Sequence, residues 1–262
     1  MAFFEVKDLS ILFGGLKALD GISFEVKKGE VYSIIGPNGA GKTTLFNCIN
    51  GIYQATSGKI LFKDKKITGK KPHQVAKSGI ARTFQNIELF DNLSTMENIM
   101  LGRHLYMKTG LFSGGFLWGR NSFAGREEVA HRKKVEEIID LLDLQSSRQK
   151  LVGALPYGIR KQVELARALA VEPELLLLDE PCAGMNAEEK QDMIFWVKDI
   201  QDELGITILL IEHDMNMVMD ISDRILAINF GQPITEGDPE AVRKHPEVLK
   251  AYLGEDDGEC TA

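Results

Sequence analysis

Residues 155–181 read LPYGIRKQVELARALAVEPELLLLDEP, and their order decides the fold: a turn around Gly158, an amphipathic helix, then an apolar strand ending in Asp179-Glu180. Leu175–Leu178 has no polar alternation, so this strand is expected to be buried on both faces of a mostly parallel sheet. Two carboxylates at the carboxyl end of such a strand stand where open α/β sheets bind ligands. The turn and helix before the strand say what kind of machine the carboxylates serve.

Upstream, the apolar run Val31–Ile35 leads directly into Gly36-Pro37-Asn38-Gly39-Ala40-Gly41-Lys42-Thr43, followed by a helix from Thr44 to about Asn50. This fits G-x-x-x-x-G-K-[ST] in the strand–loop–helix setting that gives the pattern its meaning. The glycines let successive backbone N–H groups turn inward as an anion nest, and the helix N-terminus adds positive charge. Lys42 can reach the β- and γ-phosphates of a nucleotide, and the Thr43 hydroxyl can bind Mg²⁺. Asp179 can help hold the same ion, and Glu180 can polarise an attacking water. His213, in Glu212-His213-Asp214, follows the apolar run Thr207–Ile211 and so lies at the carboxyl end of another expected sheet strand. Met215, Met217 and Met219 read as packing residues.

Periodicity organises the rest. Phe3–Lys7, Ile22–Val26 and Lys59–Phe62 suggest a small antiparallel sheet near the N-terminus. Val31–Ile35, Ile80–Phe84, Leu175–Leu178, Thr207–Ile211 and Arg224–Ile228 are the expected strands of the parallel sheet. Residues 94–170 read as mainly helical, with Glu127–Leu144 strongly amphipathic. Met107–Gly125, rich in Gly, Phe and Ser and carrying Trp118, is either a surface loop or a lobe that contacts a partner. The acidic tail Glu255–Glu259 reads as disordered.

Composition sets the outer limits. The chain has 262 residues, 44% of them hydrophobic and 26% charged, with a net charge of −7. It offers no basic field for nucleic acid or an anionic membrane. No apolar run approaches the ~20 residues that span a bilayer, and Met1–Asp8 lacks a signal pattern. Cys48, Cys182 and Cys260 have neither metal-ligand nor CxxC spacing. These features point to a cytosolic protein, one that can still dock on a membrane partner.

Phosphate loop, Gln85 after a strand, a turn-plus-helix signature, LLLLDEP and a post-strand His occur in the order that resembles the nucleotide-binding subunit of an ABC transporter. The resemblance covers nearly the whole chain. It implies an α/β P-loop NTPase fold, RecA-like with a mostly parallel sheet, an antiparallel β subdomain and an inserted α-helical subdomain. About 1–85 and 164–235 would form the ATP-binding core, about 86–163 the helical subdomain, and 236–262 the C-terminal helices and tail. ATP would be held by Gly36, Pro37, Asn38, Gly39, Ala40, Gly41, Lys42, Thr43 and Thr44, with Phe13 stacking on adenine. Thr43, Gln85 and Asp179 would serve Mg²⁺, Glu180 would be the catalytic base, and His213 would contact the γ-phosphate. Leu155 and Gly158 belong to the signature, which closes on ATP held by a second ABC ATPase subunit, head to tail.

The segments IGPNGAGKTTLFNCINGIYQATSGKI, GIARTFQNIELFDNLSTMENI, GLFSGG, LLIEHDMNMVMDISDRI and HPEVLKAYLG are together similar to the first of the two ATPases in branched-chain amino acid importers. That similarity implies transmembrane permease subunits docked on about Asn86–Asp143, a separate substrate-binding protein, and a peripheral location on the cytoplasmic face of the membrane. The same engine could serve urea, another amino acid or lipid export. A non-transport ABC ATPase would be expected to carry two ATPase domains or a long coiled coil. A small GTPase would need an N-K-x-D pattern, which the chain lacks, and a binding-only module would leave Glu180 and His213 without a role.

Two positions depart from the family pattern. Where the signature reads Leu-Ser-Gly-Gly-Gln, this chain has Leu155-Pro156-Tyr157-Gly158-Ile159, and so lacks the Ser that caps the helix and bonds the γ-phosphate. Where a Leu-Asp often follows the acidic strand, it has Met185-Asn186. Either this subunit pairs with an intact partner in an asymmetric heterodimer, or both residues are ordinary for the subgroup.

Overall fold

The computed structural model describes residues 2–85, 87–106 and 123–253. The GLFSGG run, Trp118, Asn86 and the acidic tail lie outside the described residues, and Met107–Gly125 enters them only at its last three positions. In chain order the elements are β1 (Phe4–Phe13), β2 (Leu16–Val26), β3 (Val31–Ile35), α1 (Lys42–Ile49), β4 (Ser57–Phe62), β5 (Lys65–Lys66), α2 (Pro72–Lys77), β6 (Ile80–Arg82) and α3 (Thr95–Gly102). There follow α4 (Phe123–Leu141), α5 (Tyr157–Leu169), β7 (Leu175–Asp179), α6 (Ala187–Leu204), β8 (Thr207–Ile211), α7 (Met215–Ile221), β9 (Arg224–Asn229), β10 (Gln232–Gly237), α8 (Pro239–Arg243) and α9 (Pro246–Leu253).

The chain divides into two compact units, one of Met1–Gln85 with Glu174–Ala262 and one of Asn86–Pro173. The first holds both sheets. Strands β10-β9-β3-β8-β7-β6 form a six-stranded sheet, parallel except for β10. Every residue of β3, β7 and β8 is buried, which explains their unbroken apolar runs. Each leucine of β7 withdrawn from water contributes about 1.5–3 kcal/mol.

The second sheet, β2-β1-β4-β5, is antiparallel, as the N-terminal pattern suggests. Its strands run further than expected. The apolar alternation of β1 stops at Lys7 because Asp8 takes a left-handed conformation (φ 47) at a register shift. This bulge puts Leu9 and Ile11 back into the core. β10 escapes the sequence pattern altogether: QPITEG is polar and carries Pro233, which fits an edge strand.

The second unit buries Met96, Ile99, Val135, Ile139, Leu142, Val163 and Leu169 among its helices. All of α5 belongs to it, so the chain leaves this unit at Pro173 and not near 163. The cause is a set of contacts along the helix. Arg167 Nη1 donates to the Glu88 carbonyl at 2.5 Å, and Arg160 pairs with Asp91 at 3.0 Å. A Cβ at Gly102 would stand 2.5 Å from the Arg167 carbonyl oxygen.

Candidate nucleotide site

The loop between β3 and α1 is shaped by its glycines. Gly36 has φ 155, and a Cβ there would lie 2.2 Å from the carbonyl oxygen of Ile228. Gly41, the N-cap of α1, has φ 103 and a Cβ position 2.7 Å from Ala18 O. The loop is also fastened from outside: Gly231 N donates to Ala40 O at 2.9 Å, and Asp20 N donates to Gly231 O at 2.8 Å. The N-terminus of α1 receives no side-chain cap, and a helix N-terminus is where an anion is favoured. Lys42 is buried, its Nζ donating to Gly36 O at 2.5 Å and Pro37 O at 3.0 Å, which holds the ammonium inside the arch of the loop.

The loop borders a cleft of about 460 Å³ lined by Asn38, Gly39, Ala40, Gly41, Lys42, Thr43 and Thr44, with Leu16, Lys17, Ala18, Gln85, Glu180 and Phe230. The structure thus gathers seven of the nine expected loop residues with Gln85 and Glu180 around one space. Gly36 and Pro37 contribute their carbonyls to Lys42 from behind it.

Glu180 sits just past β7 with a left-handed backbone (φ 49), its N–H bonded to Ile211 O at 2.9 Å. Non-glycine residues in this region cost energy and concentrate at functional sites. Its Oε2 accepts a hydrogen bond from Gln85 Nε2 at 3.0 Å and lies 3.7 Å from His213 Nδ1. His213 is itself half exposed, beside the cleft.

Asp179 is buried, with Oδ2 paired to Arg82 Nη2 at 2.6 Å. Its Oδ1 is buried and has no hydrogen-bond partner among the described residues. An orphaned carboxylate oxygen of this kind fits a metal-bound water. Among the described residues no cluster of three or more His, Cys, Asp or Glu side chains could cage a metal. Mg²⁺ needs few protein carboxylates when phosphates and waters complete its shell. Thr43 from the loop, Gln85 and Asp179 are the residues that would hold it.

Three expected site residues lie elsewhere. Phe13 does not line the cleft: it ends β1, packs edge-on against Tyr53 (ring centroids 5.2 Å apart) and pairs with Leu16, which does line it. Leu155 and Gly158 belong to the second unit, Leu155 just before α5 and Gly158 buried in its first turn. Pro156 is the N-cap of α5 (φ −54, ψ 155) and supplies no side-chain cap, while Tyr157 is 43% exposed. Asn186 has a local explanation: it caps α6, accepting from Glu189 N at 3.0 Å while its own N–H donates to Glu189 Oε2 at 2.9 Å.

Three further residues were not singled out from the sequence. Arg82, the only charge on β6, is the counter-ion of Asp179 and also bonds Asn47 Oδ1 at 2.7 Å. Glu212 is fully buried; Oε1 accepts from Cys182 N at 2.9 Å and Oε2 from His213 N at 3.0 Å, joining the chain after Glu180 to that bearing His213. An acid ending the apolar run TILLI was the available signal. Asp214 caps α7 and accepts from Lys190 Nζ at 2.6 Å, a hydrogen bond that holds its carboxyl below the ordinary value.

Residues 19–183 match the family model described as ABC transporter. The chain belongs to this family of ATP-binding cassettes. The cassette's residues 232–258 also match a model described as branched-chain amino acid ATP-binding cassette transporter. BraF of Pseudomonas aeruginosa, a high-affinity branched-chain amino acid transport ATP-binding protein, is 41% identical over 251 residues, 96% of the cassette and 97% of BraF. LivG of Escherichia coli, described in the same terms, is 42% identical over 250 residues, 95% of the cassette and 97% of LivG. Among solved structures, the ADP conformation of MJ1267, an ATP-binding cassette of an ABC transporter, superposes with a TM-score of 0.84 at 33% identity, covering 97% and 99% of the two chains. The P-loop α/β fold expected from the sequence holds, and the cassette is an ATPase. No helix of the described residues is long and apolar enough to cross a membrane.

Proposed function

We propose that the cassette is the ATP-hydrolysing subunit of an importer for branched-chain amino acids, working on the cytoplasmic face of the membrane. The observation that carries the catalytic half of this reading is the convergence of the Lys42 loop, Gln85 and Glu180 on one cleft, with His213 beside Glu180. The loop N–H groups and Lys42 bind the β- and γ-phosphates, and Thr43, Gln85 and Asp179 serve Mg²⁺. When bound, Mg²⁺ neutralises charge that develops on the phosphate oxygens. Glu180 orients and polarises the attacking water, a role worth roughly 10²–10⁴ in rate. Gln85 holds the Glu180 carboxylate from one side, and His213 stands ready for the γ-phosphate on the other.

The cassette is proposed to pair head to tail with a second ABC ATPase subunit, ATP closing the pair and hydrolysis opening it. The permeases dock on the helical unit, where Phe90, Leu101 and Leu105 leave apolar surface exposed. Likeness to BraF and LivG along nearly the whole chain, together with the match at 232–258, supports branched-chain amino acids as the solute and a separate binding protein as their carrier.

The test is gene deletion followed by uptake of radiolabelled leucine, urea and an unrelated amino acid. The expected result is selective loss of leucine uptake, restored by the wild-type gene and not by Lys42→Ala. Loss of urea uptake with intact leucine uptake would overturn the solute assignment, and rescue by Lys42→Ala would overturn the ATPase role.

A further inference from the structure

The turn joining β9 to β10 pairs Asn229 with Gln232 and leaves a two-residue loop, Phe230-Gly231, with φ 46 and 75. Two positive φ values in a two-residue hairpin loop mark a type I′ turn, whose first position favours Asn, Asp or Gly. A phenylalanine is locally the wrong residue there. It is also 83% exposed, and it lines the cleft beside Leu16, itself 71% exposed. The mount is rigid. Gly231 is bonded to Ala40 of the phosphate loop and to Asp20 of β2, and a Cβ at 231 would stand 2.6 Å from Ala18 O. The backbone that carries the ring is therefore held in a fixed position relative to the phosphate loop, beside the cleft.

We propose that Phe230 is a nucleotide-affinity residue, its ring packing against the purine–ribose portion of ATP whose phosphates lie in the loop. The inference rests on the reading of the cleft as an ATP site. The geometry accounts for an aromatic side chain kept exposed on a backbone that disfavours it: broken local rules of this sort concentrate at functional positions. Aromatic contact with a purine face is apolar and tolerant of base identity, so Phe230 raises affinity for nucleoside triphosphates and contributes nothing to bare phosphate chains.

The experiment compares wild type, Phe230→Asn and Phe230→Trp in the complete ATPase pair. Asn-Gly suits the turn, so Phe230→Asn is expected to raise the Tm of the nucleotide-free cassette. The same variant is expected to raise KM for MgATP by about fivefold to tenfold with kcat within about twofold. Its affinity for magnesium tripolyphosphate should stay at the wild-type value. Phe230→Trp should keep the wild-type KM and show indole fluorescence quenched by ATP. An unchanged KM in Phe230→Asn overturns the proposal, as does an equal loss of tripolyphosphate affinity, which would mean a distorted loop. Failure of wild type to bind MgATP would instead overturn the nucleotide reading, and this inference with it.

Discussion

Gln85 and Glu180, from the ends of neighbouring parallel strands, are joined by a hydrogen bond from Nε2 to Oε2 of 3.0 Å. Glu180 Oε2 is also 3.7 Å from His213 Nδ1. One carboxylate oxygen is thus contacted by residues following β6 and β8, on either side of its own strand β7. The role proposed for Glu180, orienting a single water, gains from its being held on two sides, because positioning carries most of the catalysis in phosphoryl transfer.

Glu180→Gln preserves the shape of that side chain and removes its charge. ATP binding is expected to remain at the wild-type level while kcat falls by roughly 10²–10⁴. Equilibrium nucleotide binding and single-turnover phosphate release measure the two halves separately. Wild-type turnover by this variant would remove Glu180 as the base.

Arg82 and Asp179 form an ion pair with side chains 4% and 1% exposed. Removing one member of such a pair strands the other charge in a dry interior, which costs about 3–5 kcal/mol. Arg82→Met is therefore expected to lower the Tm of the isolated cassette by on the order of 10 °C. Thermal unfolding followed by circular dichroism checks this, and a Tm within about 2 °C of wild type would show that Asp179 finds another partner.

Some of this was legible in the chain and some was not. β3 and β8 fall where the sequence places them because strands buried on both faces write their limits as unbroken apolar runs. The phosphate loop is legible for a similar reason: its chemistry is local, eight consecutive residues running from the end of β3 into the first turn of α1. The Arg82–Asp179 pair was hidden because its members are 97 positions apart, and nothing in Ile80-Ala81-Arg82 names a partner. The extension of β1 was masked by the bulge at Asp8, which breaks the two-residue period without ending the strand. Phe230 reads as an ordinary apolar residue next to Gly231 until the positive φ and the cleft are seen together.

Asp214 links stability to pH. The hydrogen bond from Lys190 holds its folded-state pKa below the ordinary 3.8. Its contribution is therefore fully present above that value and is lost as pH falls through the folded pKa. Asp214→Asn can still cap α7 but cannot pair with Lys190. The pair is partly exposed, so the loss at neutral pH is expected to be at most ~1 kcal/mol, or a Tm lower by about 2–4 °C. That gap should be constant from about pH 7 to 5 and close below about pH 4. A gap that widens on acidification would contradict the assignment.

The N-terminus of α5 bears on whether the two ATP sites of the proposed head-to-tail pair differ. Pro156 occupies the N-cap and offers no side-chain acceptor to the first-turn N–H groups and no hydroxyl to a facing phosphate. A missing charge-assisted hydrogen bond of that kind lowers affinity or rate by about tenfold to a hundredfold. The site made by this cassette's own Lys42, Asp179, Glu180 and His213 with a partner's signature is expected to be the stronger one. The lone cassette should therefore hydrolyse ATP more slowly than the mixed pair. To isolate the weaker site, Glu180→Gln silences the stronger, so that the remaining phosphate release comes from the partner's loop facing Leu155–Ile159. Adding Pro156→Ser in that background restores a hydroxyl and is expected to raise the residual rate at least several-fold. If the lone cassette turns over as fast as the pair, and Pro156→Ser leaves the residual rate unchanged, the two sites are equivalent and the asymmetry is refuted.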